Sequence, residues 1–192
     1  MPDDYFVVDI ETCPINLRNY NERTEEEKLK LLNPIDSKII AIGVRHNNTD
    51  KIFLDEDEKK ILQEFWSEWK SIKKDNPYAS AVGFNITNFD MPVLTARSLI
   101  NNIQIYPFTL KSIIDLRDKI NAYRYGPTRG KLKEYAKLIN IPTEDIDGSD
   151  IAQLCIDKNY KLLEKYLATD LKITDELYKR VRDTRILEIN KW

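Results

Sequence analysis

The chain has 192 residues, 42% of them hydrophobic and 32% charged, which fits a single domain, 1–192, with a sizeable core. Thirty Lys and Arg stand against 32 Asp and Glu, so the formal charge of −2 excludes any global attraction for a polyanion, and such binding must rest on a local patch. Two cysteines without a CxxC, one histidine, no apolar stretch of membrane-spanning length and an N-terminus, MPDDYF, without signal-peptide regions argue against a zinc or disulfide scaffold and a membrane protein; an intracellular, cytoplasmic chain is expected.

Residues 5–10 form a Val-rich apolar run long enough for a buried strand. A polar connection follows Pro14, and Thr24 with Glu27 reads as a capping box opening a short helix to about residue 32. Strands over 37–46 and 51–54 flank the turn residues 47–50 and predict a hairpin. From 57 to 74, Ile61, Leu62, Phe65, Trp66, Trp69 and Ile72 recur at helical spacing, so the tryptophans belong to a core stripe. A strand is expected over 79–84, a helix from Asp90 with Pro92 in its first turn, and a strand end over 112–115. Helices over 116–122, 131–139, 150–156 and 160–182 complete the chain. A three-strand meander followed by alternating helices and strands gives an α/β fold, a mixed sheet covered by helices. Residues 14–36 carry no signal that assigns them a role.

Four acidic positions stand out. Asp9 and Glu11 close the first apolar run, and alternation puts both on one face of a strand. Acids are one residue in six, so a two-residue spacing of this kind arises roughly five times by chance, and the placement beside a core strand is what raises it. Asp90 closes GFNITNFD before Met91 and Pro92. Alone it reads equally as a helix N-cap, and a capping carboxylate can still reach a metal. Asp170 interrupts the apolar stripe Leu163, Tyr166, Leu167, Thr174 and Leu177. Two carboxylates about 4 Å apart repel by roughly 4 kcal/mol at a near-surface dielectric. Convergence of the four would therefore call for divalent cations, and hard oxygen ligands suit Mg²⁺ or Mn²⁺.

These segments resemble the three motifs of the DEDD superfamily of 3′–5′ exonucleases. D-x-E matches Asp9 and Glu11, N-x-x-x-F-D matches Asn85, Phe89 and Asp90, and Y-x-x-x-D matches Tyr166 and Asp170. Lys165 stands where the histidine subtype would carry its histidine, so the match is to the tyrosine subtype. The stretches 113–116, 131–136 and 146–149 resemble stand-alone relatives of the exonuclease domain of family-B DNA polymerases, and the likeness runs from 5 to about 182. It implies an RNase H-like fold and two metal ions, one held by Asp9, Glu11 and Asp170. The second would be held by Asp9 and the scissile phosphate, with Asp90 acting directly or through water. It also implies a water oriented by Tyr166 and release of nucleoside 5′-monophosphates from 3′ ends.

Between 117 and 137 lie seven basic and two acidic residues, interleaved with Tyr123, Tyr125 and Tyr135. Basic residues with aromatics suit single-stranded nucleic acid, so Arg124, Arg129 and Lys131 are expected to bind it, with Asn85 and Phe89 near the terminal base. A solvated helix face is the plain alternative for the basic run. The rivals to an exonuclease are a non-catalytic nucleic-acid-binding module on the same fold and an endonuclease of the RNase H-like class. No protein partner can be inferred.

Overall fold

The computed structural model describes residues 4–124, 126, 130–143 and 150–190. The first strand, β1 (Tyr5–Pro14), runs four residues past the apolar run that foretold it. The cause is tertiary. β2 (Ser37–His46) pairs antiparallel with β1 from Phe6 opposite His46 to Pro14 opposite Ser37. Backbone ladder bonds thus hold residues whose side chains carry no strand signal. Asp9 and Glu11 lie within the strand rather than at its end. A bulge after Glu11 leaves Ile40 as the extra residue on β2.

Between these strands lies α1 (Glu25–Lys30), with the expected Thr24–Glu27 capping box. β3 (Thr49–Leu54) returns antiparallel along β2. The hairpin loop has two residues, not the four expected. Asn47 and Asn48 take φ of 49° and 61°, the positive values that a tight hairpin turn requires and that asparagine tolerates. β4 (Ser80–Gly83) and β5 (Ile113–Asp115) lie on the far side of β1, each parallel to its neighbour. Among the described residues the order is β3-β2-β1-β4-β5, the mixed sheet read from the sequence.

Alternation along β1 divides the core between two faces. Phe6, Val8 and Ile10 meet α2 (Glu58–Asp75) and α3 (Asp90–Ile100). Trp66 and Trp69 are buried there as expected, and the Trp66 indole N–H donates to Ser98 Oγ at 2.9 Å. Val7 faces the other side, against α7 (Tyr160–Asp183), and so do Asp9 and Glu11. Around α7 gather α4 (Leu116–Ile120), α5 (Leu132–Leu138) and α6 (Ile151–Ile156).

Two carboxylates buried away from the acidic motifs, Glu58 and Asp175, meet counter-charges. The Glu58 carboxylate receives Arg97 Nε at 2.8 Å, the Ile39 amide at 2.7 Å and Asn101 at 2.9 Å, tying α2, α3 and β2 together. On the other face Asp175 accepts from the Tyr5 hydroxyl at 2.6 Å and Arg45 Nε at 3.1 Å, and pairs with Lys179 at 3.0 Å. Burial alone would raise the Asp175 carboxyl, but hydrogen bonds from Tyr5, Lys179 and Arg45 hold it below its usual value.

A carboxyl with a depressed folded pKa stabilises the fold above its unfolded value and loses that contribution as pH falls through the folded one. Asp175→Asn should cost about 1.5–3 kcal/mol at neutral pH, the scale of hydrogen bonds to a charged group. The wild-type and variant melting temperatures should converge as pH falls below the ordinary aspartate range. Calorimetry across that range checks this. A gap that stays constant to the acid end would show that the charge on Asp175 contributes nothing.

Candidate active site

β4 stops at Gly83, having paired with β1 only through Val82 opposite Val7. Beyond that point the edge of β1 faces the turn leading into α3. Asp90 Oδ1 accepts from the Ile10 amide there at 3.2 Å, where a longer β4 would have paired. The side chains of Asp9 and Glu11 flank that amide in sequence. The acidic end thus lies outside the carboxyl ends of the parallel strands, the usual place for a site in an open α/β sheet.

α7 supplies the third acid. Carboxylate oxygens of Asp9, Glu11 and Asp170 lie within 4.8 Å of one another. The approach is made possible by Gly43, the β2 partner of Asp9. A Cβ at position 43 would sit 2.8 Å from Leu171 Cδ1 and 3.0 Å from Leu167 Cγ, so only glycine lets α7 lie this close. Asp90 is outside this three-residue cluster. It is also the first residue of α3 rather than its N-cap, a position that Phe89 takes.

Burial and repulsion by neighbouring acids act on Asp9 and Glu11. Asp9 is held well above the ordinary range by burial and then by Asp90, Glu11 and Asp170. Glu11 is raised by burial, Asp170 and Asp90, with Lys133 opposing. Asp90 is pushed up to about 7, chiefly by burial, while its own amide and that of Ile10 pull it down. Tyr166 is buried with its ring in the apolar cluster of Leu163 and Leu167. Burial, the charges of Glu11, Asp170 and Asp9 and a hydrogen bond to Asp170 drive its hydroxyl far above the usual phenol range. It stays protonated, a donor and not a base. The donor set, three hard carboxylates that raise one another's proton affinity, fits a divalent cation.

Two residues near the acids had no assigned role in the sequence. Lys133 of α5 reaches Asp170 Oδ1 at 3.6 Å, and its ammonium lies 4.0 Å from the centroid of the Tyr166 ring. In the sequence it was one of seven bases in a run, and the spacing did not say which base turns inward. Buried Asp115, at the end of β5, holds the turn into α3. Its carboxylate accepts from the amides of Asn85 at 3.0 Å and Thr87 at 3.1 Å, and from the Thr87 hydroxyl at 2.7 Å. It also caps α4 through the Arg117 and Asp118 amides.

The basic run divides. Arg117 donates to Asn85 Oδ1 at 3.2 Å, which engages the side chain expected to meet nucleic acid. Lys119 donates to the Leu187 carbonyl at 2.8 Å. Tyr135 packs near Phe84 and hydrogen-bonds Asn121, so it is a structural ring. Phe89 is partly buried against the α2–α3 core. Arg124 and Lys131 are exposed, whereas Arg129, Tyr125 and residues 146–149 lie outside the described residues. Lys131, Lys133, Tyr166 and Asp170 line a cleft of about 870 Å³. Its other wall includes Tyr20, Lys28, Leu29 and Leu32, from the segment the sequence left unassigned.

The family-B DNA polymerase of the hyperthermophilic archaeon Pyrobaculum calidifontis contains this architecture. It matches with a TM-score of 0.70 over 95% of this chain at 17% identity, and this chain spans 25% of the polymerase. The fold is thus that of an RNase H-like exonuclease domain. Residues 36–186 match the profile of a family described as "Predicted 3'-5' exonuclease related to the exonuclease domain of PolB". An uncharacterized protein of Methanocaldococcus jannaschii is 33% identical over 171 residues, covering 82% of this chain and 93% of its own length. The chain belongs to this family of 3′–5′ exonuclease-like proteins. Asp90, Tyr166 and Asp170 fall inside the matched span, and Asp9 and Glu11 precede it.

If Asp115 holds the turn that carries Asn85 and Asp90, Asp115→Ala should remove the acceptor of the part-buried Asn85 and Thr87 amides and of the two amides that open α4. The expected cost is about 1–3 kcal/mol per unsatisfied group. Amide exchange at Asn85 and Thr87 should quicken more than in α2. Uniform protection in the variant would show that the turn holds itself.

Proposed function

We propose that this chain is a metal-dependent 3′–5′ exonuclease of the DEDD superfamily, tyrosine subtype, acting as one domain on single-stranded 3′ ends. It releases nucleoside 5′-monophosphates. The observation that carries this reading is the convergence of Asp9, Glu11 and Asp170 from β1 and α7, with Asp170 lining the cleft. Asp9, Glu11 and Asp170 would hold one divalent ion, Mg²⁺ or Mn²⁺. Asp90, tied to the Ile10 amide between the first two acids, would contribute to a second. Two such ions supply the positive charge that activates a water and stabilises the leaving oxygen.

The chain's own groups have separate tasks. Tyr166, kept protonated by its surroundings, donates a hydrogen bond and so orients the attacking water. Lys133 places a cation beside the acids, where a phosphate needs a partner. Exposed Lys131 and Arg124 extend that positive charge along the strand, as would Arg129.

Chelation should abolish release of mononucleotides from a single-stranded oligomer, and Mg²⁺ or Mn²⁺ should restore it. Asp9→Asn should remove nearly all turnover and leave the apo melting temperature unchanged or higher, because one repelling charge is gone. Turnover by thoroughly demetallated protein, or by the Asp9 variant at the wild-type rate, would refute the reading. Cleavage of circular single strands would make the enzyme an endonuclease instead.

Tyr166→Phe should lower kcat by about 10²-fold or less, the scale of a misplaced reactant, with KM nearly constant. A smaller loss than in Asp170→Asn is expected, since the acids remain. A rate equal to wild type would leave Tyr166 as a packing ring only.

A further inference from the structure

The segment 15–36 leaves β1 and returns to β2, and its ends are joined by the Ile15 amide donating to the Asp36 carbonyl at 2.8 Å. Within it α1 buries no side chain, so core burial does not explain its presence. A helix of six residues is marginal by propensity. Here the capping box and the Glu25–Lys28 and Glu26–Lys30 pairs, both at 2.8 Å, hold it locally. Yet Leu29 is 64% exposed and Leu32 48%, with Ile15 and Ile35 also exposed on the same segment. Of these exposed apolar groups, Leu29 and Leu32 share the lining of one cleft, where exposed apolar surface marks a binding site.

The surface has a direction. Leu29, Leu32 and Tyr20 line the same cleft as Tyr166 and Asp170, across from Lys131 and Lys133. Lys28 extends over the Tyr20 ring, 5.5 Å from its centroid. The cleft is therefore lined by Lys131 and Lys133 with Asp170, and from the segment 15–36 by Tyr20, Leu29 and Leu32 among the polar Asn21, Glu25 and Lys28. A nucleotide has two-sided chemistry, a phosphate at one end and a flat, weakly polar base at the other.

We propose that α1 and Tyr20 form the subsite for the base of the 3′-terminal nucleotide of a single strand, with Leu29 and Leu32 against its face. This rests on the nuclease reading and adds to it a base-recognition element outside the acidic motifs. The Leu29 and Leu32 side chains offer a base face no hydrogen-bond code, so every base should be accepted there. A duplex end must fray before its base can enter.

The test compares single-stranded oligomers that end in an ordinary or an abasic 3′ nucleotide. Affinity is measured by fluorescence anisotropy in Ca²⁺, with KM measured in Mn²⁺. The proteins are wild type and Leu29→Ala/Leu32→Ala, both positions exposed, with the change at 29 keeping helix propensity and 32 lying beyond the end of α1. Wild type should bind the abasic end roughly tenfold more weakly, within the range of base stacking. The double variant should bind both ends alike, at the wild type's abasic level. Equal discrimination by both proteins overturns the proposal and leaves the nuclease reading intact if turnover persists. Base-dependent binding without turnover in any metal retains the subsite and removes the nuclease. Binding of neither oligomer removes both. Self-association that the variant loses, with discrimination unchanged, would assign the wall to a second copy of the chain and also overturn the proposal.

Discussion

A side chain at position 43 would hold the long C-terminal helix off the sheet. Gly43 lies beside Asp9 on β2, and Leu167 and Leu171 of α7 fill the space where a Cβ would be. That contact fixes the height of α7 above β1. Helical periodicity then places Tyr166 and Asp170 one turn apart over the strand residues Asp9 and Glu11. The acidic cluster is a consequence of helix–sheet packing, set by the leucines that neighbour Asp170 on the same helix.

The molecule handles buried charge in two ways. Glu58 meets Arg97, and Asp175 meets Arg45 and Lys179, with hydrogen bonds completing both networks. Those carboxylates hold α2 to α3 and β1 to α7 as much as any apolar contact does. Asp9, Glu11 and Asp170 lie together instead, and burial with repulsion from Asp170 and from Asp90 raises both Asp9 and Glu11. A fold that pairs its buried acids elsewhere and crowds them here departs from its own rule at one place. Such departures are expected where a structure has a task beyond folding.

Asp9 and Glu11 were legible because strand alternation alone puts two residues at this spacing on one face. Asp170 was legible because it breaks an apolar stripe. The extent of β1 was not, since the Thr12–Pro14 pairing depends on β2 and leaves no mark in side-chain pattern. Nor was Lys133. In a run of bases broken by glycines, helical phase is undefined until the first turn of α5 is placed, so any of several lysines could have turned inward. Asp115 belonged to a recognisable stretch, but its bonds to Asn85 and Thr87 join positions about 30 residues apart. Residues 14–36 were silent for a physical reason. α1 buries nothing, and a segment without a buried face shows no periodicity to read.

That silence also bears on how the site divides its work. The acids, Tyr166 and Asp115 lie on or at the ends of strands and helices that the core holds in place, so their positions are precise. The facing wall stands on an insertion between two adjacent antiparallel strands, where added length costs little loop entropy and disturbs no ladder. Changes in Tyr20, Leu29 or Leu32 therefore leave the acid geometry alone. Changes at Gly43 or Leu171 cannot, because they alter the spacing between α7 and β1. The loop in such a molecule is free to vary, while the acidic cluster is confined by packing.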